Sequence, residues 1–239
     1  MAEDPHAPTR YVLVHGAGGS AWEWHRVTPL LESLGHEVVV VELPCDDEAA
    51  GLQASADVIV TACGVPPGTK VVVVAQSFAG VTAPIACART RVDLLILLCA
   101  MTPAPGERAA DWWDNVAASA TGRAAVADGG RREHLPDVGE AAEAHRRRQV
   151  AAPVFEPWPL DAWPDVRTAF ILGIRDRFFS PAMQRRVAAD RLGLVAYELD
   201  AGHLPAVSEP AALVAVLERA RRDGGAWVSP SSSAASGHR

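Results

Sequence analysis

The sequence predicts an α/β fold: a mostly parallel sheet with helices on both faces and a small helical cap. Three observations carry this expectation. Short, continuous β-branched runs alternate with amphipathic stretches along the 239 residues, the pattern of parallel strands covered on both sides. Polar or glycine-rich segments follow several of these runs directly, as at "HGAGGS" and "QSFAG". One stretch, at about 102–165, holds no convincing strand and reads as a helical insertion placed over the sheet.

In chain order, strands are expected at 11–14 ("YVLV"), 37–43 ("EVVVVEL"), 70–75 ("KVVVVA"), 93–100 ("DLLILLCA"), 167–173 ("RTAFILG") and 194–200 ("LVAYELD"). Helices are expected at 24–34, stopped by Gly35, and at 52–63, 78–89, 181–191 and 210–222. Pro84 falls inside the third and is expected to kink it. The tail from about 224, "GGAWVSPSSSAASGHR", is rich in Ser, Gly and Ala and is expected to be disordered. A chain of this length suits one domain, 1–239, carrying the insertion.

The bulk numbers exclude several classes. Apolar residues make up 49% and charged residues 21%, ordinary globular usage. The net charge is -7 with no long basic run, so no nucleic-acid partner is expected. "RRR" at 146–148 reads as a solvated helix face. Cys45, Cys63, Cys87 and Cys99 share no metal spacing and read as reduced core cysteines of a cytoplasmic protein. "MAEDPHAPTR" lacks the apolar core of a secretory signal. No apolar run approaches ~20 residues, so no membrane span is expected. A monomer and a dimer fit the sequence equally.

Four polar landmarks follow strands: "HGAGGS" at 15–20, Ser77 after "VVVVAQ", Asp176 in "RDRFFSP" and His203 in "AGHLP". In an open parallel sheet, ligands bind beyond the carboxyl ends of the strands, so these landmarks can converge. Ser77 lies between Ala75 and Ala79, with Gly80 next, in a pattern A-x-S-x-A-G that lets a strand turn sharply into a helix. Taken alone, Ser77 is either a nucleophile on such a turn or a helix cap. A serine hydroxyl needs a base to take its proton, and the base needs a carboxylate to fix its tautomer. His203 and Asp176 supply both in the order Ser, Asp, His. Asp200 competes with Asp176, but it ends a strand, whereas Asp176 lies in a polar turn after one. The glycine-rich loop can offer a backbone N–H to a developing oxyanion, and Ala17 with Phe78 are the expected donors. "HGAGGS" lacks both nucleotide-binding glycine patterns, and His15 reads as structural.

"YVLVHGAGGSAWEWHRVTPLLESLGHEVVVVELP", "VAQSFAG", "LLCAMTPAPGE", "RDRFFSP" and "AGHLPAVSEP" together resemble the α/β-hydrolase superfamily, nearest the small esterases related to plant methylesterases and hydroxynitrile lyases. The resemblance covers about 10–217, except the insertion. It implies an α/β-hydrolase fold, Ser77 as nucleophile, His203 as base, Asp176 as acid, Ala17 and Phe78 as oxyanion donors, and no metal or organic cofactor. Two departures stand out. Ala75-Gln76 stands where the family often has Gly-His, and Ala79 where Gly is usual. Hydroxynitrile lyases of this branch carry a threonine in the oxyanion loop and a lysine just after the histidine. Gly16 and Leu204 occupy those positions here, so the resemblance favours ester hydrolysis over cyanohydrin cleavage. A small-ligand receptor on the same fold is the other alternative, since fold alone does not give function.

The substrate is expected to be a small or medium apolar ester, lactone or thioester. Gly16, Gln76 and Leu204 should lie near it. Trp112, Trp113, Phe155, Trp158 and Trp163 concentrate in the insertion, and Trp112, Trp113 and Trp158 are the expected contacts. The alternative is that these rings only pack the insertion onto the sheet.

Overall fold

The structure, a computed structural model, describes residues 9–116 and 139–228. The chain opens with β1 (Thr9–Val14), a 3-10 turn at Ala21–Trp24, α1 (Thr28–Ser33), β2 (Glu37–Val41) and α2 (Leu52–Ala62). It continues through β3 (Lys70–Gln76), α3 (Ala79–Cys87) and β4 (Leu94–Leu98). The insertion then contributes α4 (Ala109–Val116), α5 (Gly139–Ala144) and α6 (Ala152–Phe155). The closing elements are β5 (Arg167–Gly173), α7 (Pro181–Leu192), β6 (Tyr197–Leu199), α8 (Pro205–Ser208), α9 (Pro210–Asp223) and β7 (Ala226–Trp227).

The sheet runs β2-β1-β3-β4-β5-β6, all parallel, and β7 pairs antiparallel with β5. Side chains alternate between two cores, as a period of two requires. Val12, Val71 and Val73 enter the core that also receives α2, α3 and α7. Tyr11, Leu13, Val72 and Val74 enter the core beneath α1 and α9. Because both faces are covered, the strands read as unbroken apolar runs rather than alternating ones.

Three expectations change. The helix expected over 24–34 is split into the 3-10 turn and α1. Pro29 sits in the first turn of α1, where its missing N–H costs nothing, whereas within a longer helix it would remove a bond. The tail expected to be disordered from 224 instead turns back at Gly224 and Gly225, which have φ of 75° and 62°. It pairs Ala226 with Thr168; the tail beyond 228 lies outside the described residues. The "RRR" run is not a helix face, because α5 ends at Ala144 and the three arginines lie in the irregular segment after it. α3 carries Pro84 and continues to Cys87, every residue buried. The four cysteines are buried and free. Among the described residues, no helix is long and apolar enough to cross a membrane.

Candidate active site

β3 ends at Gln76, and the chain turns into α3 through Ser77, whose φ is 54°. A non-glycine residue in that region is strained, and such strain collects at functional turns. The surroundings hold the turn closed. Ser77 N–H donates to Leu98 O at the end of β4 (3.0 Å), and Met101 N–H donates to Ser77 O (3.0 Å). Gly80 must be glycine for the same reason. A Cβ there would overlap the Met101 carbonyl oxygen and come within 3.0 Å of Ala100 Cβ. The small residues of "AQSFAG" thus serve close approach of helix and neighbouring loop.

The residue that caps α3 is Phe78, which offers no side-chain bond, and the Ser77 hydroxyl meets the candidate base. It lies 3.0 Å from His203 Nε2, donating to that nitrogen. His203 Nδ1–H donates in turn to Asp176 Oδ2 at 2.8 Å. All three residues are buried, Ser77 at 8%, Asp176 at 4% and His203 at 6% exposure. An imidazole held between a hydroxyl and a buried carboxylate can take the hydroxyl proton while its positive form is stabilised. Asp200, the competing acid, is exposed and ion-paired to Arg175.

Asp176 is over-determined. Its Oδ1 accepts from the N–H groups of Phe178 (2.8 Å) and Phe179 (2.9 Å), an Asx-type turn within "RDRFFSP". Its Oδ2 also accepts from Gln184 Nε2 on α7 (3.0 Å), whose amide further donates to Phe179 O (2.7 Å). The Phe178 and Phe179 rings flank His203 with centroids at 4.8 and 4.9 Å. Sequence reasoning missed these three residues. The Asp-x-Phe-Phe spacing was the available signal for the phenylalanines; nothing local pointed to Gln184. Cys99, at the end of β4 with φ 45°, lies against Asp176 and His203. Burial first, then the Asp176 charge, pushes its thiol well above the ordinary range, so it stays neutral.

The glycine loop after β1 packs onto the turn. A Cβ on Gly16 would stand 2.8 Å from Ser77 Cβ and collide with Gln76 Oε1, so glycine is required for this approach. The loop folds back on itself through Gly19 N–H to Gly16 O (3.2 Å). His15 beneath it is structural. It is fully buried, its Nδ1 bonds Gly16 O (2.8 Å), and its Nε2 accepts from Leu43 N–H (3.1 Å). Phe78 N–H, at the start of α3, has no hydrogen-bond acceptor among the described residues.

The expected substrate contacts divide. Gln76 is 2% exposed and donates to His203 O at 3.1 Å, so its side chain joins two site segments. Trp112 and Trp158 are buried, and their indole N–H groups donate to Thr102 O and Val81 O at 3.0 Å each. Both rings join the core that receives α2, α3 and α7, and Trp112 also meets Phe179 with centroids at 5.3 Å. Trp163 donates to Thr168 Oγ1 (3.1 Å) near the start of β5, away from the strand ends that carry the site. Phe155 is exposed. Trp113 is half-buried against Phe178 and Phe179, with centroids at 5.6 and 4.9 Å, and so extends the aromatic wall beside His203. Leu204 is half-buried next to His203.

Comparison with known proteins identifies the family and the fold. The profile of the alpha/beta hydrolase family matches residues 11–216. The chain is 34% identical over 103 residues to norfluorocurarine synthase 1 of a Strychnos species, covering 39% of each chain. It is 32% identical over 109 residues to polyneuridine aldehyde esterase of Rauvolfia serpentina, covering 40% of each. The match thus spans about two fifths of the curated relatives' length. The crystal structure of polyneuridine aldehyde esterase superposes with a TM-score of 0.76 at 20% identity, over 90% of this chain and 99% of that one.

Proposed function

The chain belongs to the alpha/beta hydrolase family, whose profile spans residues 11–216, and from that premise we propose that it is a serine hydrolase of the carboxylesterase type. Its substrate is a small or medium apolar ester, lactone or thioester, cleaved through an acyl-enzyme on Ser77. One observation carries the reading: the unbroken hydrogen-bonded path from Ser77 Oγ through His203 to Asp176, at 3.0 and 2.8 Å. Polyneuridine aldehyde esterase among its relatives supports the same bond class.

Ser77 Oγ attacks the carbonyl carbon as its proton passes to His203 Nε2. Asp176 holds the imidazolium by its Nδ1–H, a role worth roughly 10⁴ in turnover in comparable sites. The oxyanion is received by the N–H groups of Ala17 and Phe78, each worth about 10²–10³. As the carbonyl re-forms, the bond to the leaving oxygen or sulfur breaks and His203 protonates the leaving group. Water, deprotonated by His203, then attacks the acyl carbon and frees the acid and Ser77. The insertion, with Trp113 beside Phe178, acts as the cap over the acyl or alcohol portion. Hydrolysis is favoured over cyanohydrin cleavage because Leu204, next to His203, offers no charge to hold cyanide.

The test is burst and steady-state release of a chromogenic short-chain ester by wild type and Ser77→Ala, with fluorophosphonate labelling of both. Wild type should turn over and label, and the variant should do neither. Equal inactivity of the two across esters and thioesters, with a small ligand still bound, would favour a receptor instead. Cyanide release from mandelonitrile above the Ser77→Ala background would favour a lyase.

A further inference from the structure

The oxyanion loop is gripped from outside by a segment of the insertion. Residues 145–150 run past it after α5. Arg147 N–H donates to Gly18 O (3.0 Å), and Gly18 N–H donates to Gln149 Oε1 (3.3 Å). Gly18, with φ 62°, is therefore held at both its amide and its carbonyl by the same strap. The strap is itself anchored. The Arg147 guanidinium donates to Leu43 O (2.6 Å) and pairs with Glu42 and Asp46. Val150 N–H donates to Cys45 O (2.7 Å). Glu42 also accepts from Ala21 N–H (3.1 Å), just past the loop, and the His145 ring stacks on Trp22 at 4.4 Å.

A glycine-rich loop has many backbone states and needs external contacts to keep one. An oxyanion donor acts only when held in place before charge develops. Resting on the serine-hydrolase reading, we propose that Arg147 and Gln149 are positioning residues, which hold Gly18 and so fix the Ala17 N–H in register with Ser77. The insertion thereby does more than cover the site. It sets the geometry of the loop that receives the transition-state charge, and a substrate that displaced the strap would lose turnover rather than affinity.

Arg148 supplies the control. It belongs to the same strap but pairs with Glu48 at the surface, with both side chains more than half exposed. Arg147→Ala keeps the main-chain bond to Gly18 but frees the strap from Leu43, Glu42 and Asp46. It is expected to lower kcat about 10-fold and Gln149→Leu about 3-fold, less than the ~10²–10³ of losing a donor outright. KM should stay within about twofold of wild type. Inhibition by a trifluoromethyl ketone, whose hemiketal oxygen needs the donors, should weaken in proportion to kcat/KM. Arg148→Ala should match wild type in each respect. Amide hydrogen exchange at 16–19 gives a readout without turnover, and both strap variants should exchange faster there while α9 is unchanged. If Arg147→Ala does not fold, Gln149→Leu carries both measurements. Unchanged loop exchange and kcat in the folded variants would overturn the proposal. A wild type no more active than Ser77→Ala would instead defeat the hydrolase reading, leaving loop exchange to judge the strap.

Discussion

The Gln76 side-chain amide donates to the main-chain carbonyl of His203 at 3.1 Å. It joins the residue before the candidate nucleophile to the backbone of the candidate base, 127 positions away. Both groups are buried, so losing the donor strands a carbonyl at a cost of about 1–3 kcal/mol. Gln76→Leu should lower stability to urea by that amount. It should also lower kcat about 10-fold, because small displacements of a catalytic group are expensive. Gln76→His, which can keep a donor, should recover part of both. A Gln76→Leu enzyme of normal kcat would leave this bond a purely structural one.

Gly80 tests the turn itself. With the Met101 carbonyl oxygen in the place of any Cβ, the obstacle is backbone and has little room to yield. Gly80→Ala should therefore destabilise by about 1–3 kcal/mol, although alanine ordinarily stabilises a helix relative to glycine. Equilibrium urea unfolding of the variant measures the sign directly. A more stable variant would contradict the close packing of α3 on the loop after β4.

These two positions mark the boundary of what the sequence makes legible. Ser77, Asp176 and His203 are readable because each follows its own apolar strand, and strand ends in a parallel sheet meet on one edge. Gly80 is readable as a small residue in a known spacing. Gln76 and Gln184 are not, because their partners are a distant carbonyl and a distant carboxylate, and no local pattern encodes such a pairing. Trp112 and Trp158 are a different case. Their composition suggests a pocket wall, but their indole N–H groups are bonded to backbone carbonyls inside the core. The arginines at 146–148 lack helical spacing signals of their own, and acidic partners about 100 residues earlier fix two of them.

Gln184 gives a third expectation. Its amide shares Asp176 Oδ2 with His203 Nδ1–H, so it limits how the carboxylate can rotate. Gln184→Met keeps the volume and removes the donor. Turnover of a short-chain ester should fall about 10-fold with KM little changed. Gln184→Glu should do worse, because it sets a second carboxyl against Asp176. If Gln184→Met matches wild type, the two N–H bonds to Asp176 Oδ1 suffice to orient the acid.

The last expectation concerns acid stability, away from the site. Glu218 on α9 is buried, accepting from Tyr11 Oη (2.6 Å) and from Arg221 Nε (3.0 Å) and lying 3.1 Å from His36 Nε2. Burial raises its pKa, but the Arg221 and Tyr11 hydrogen bonds and the neighbouring charges outweigh it and bring the group from 4.5 to about 2. A carboxylate held below its unfolded value stabilises the fold above that value. The contribution is lost as pH falls through the folded one. Wild type should therefore exceed Glu218→Gln by about 2–3 kcal/mol at pH 7, since each tenfold change in proton affinity is worth ~1.4 kcal/mol. The gap should narrow as pH drops from 4.5 toward 2. Urea unfolding of both proteins across that range measures it, and a gap independent of pH would show that the carboxylate charge is not what Arg221 and Tyr11 hold.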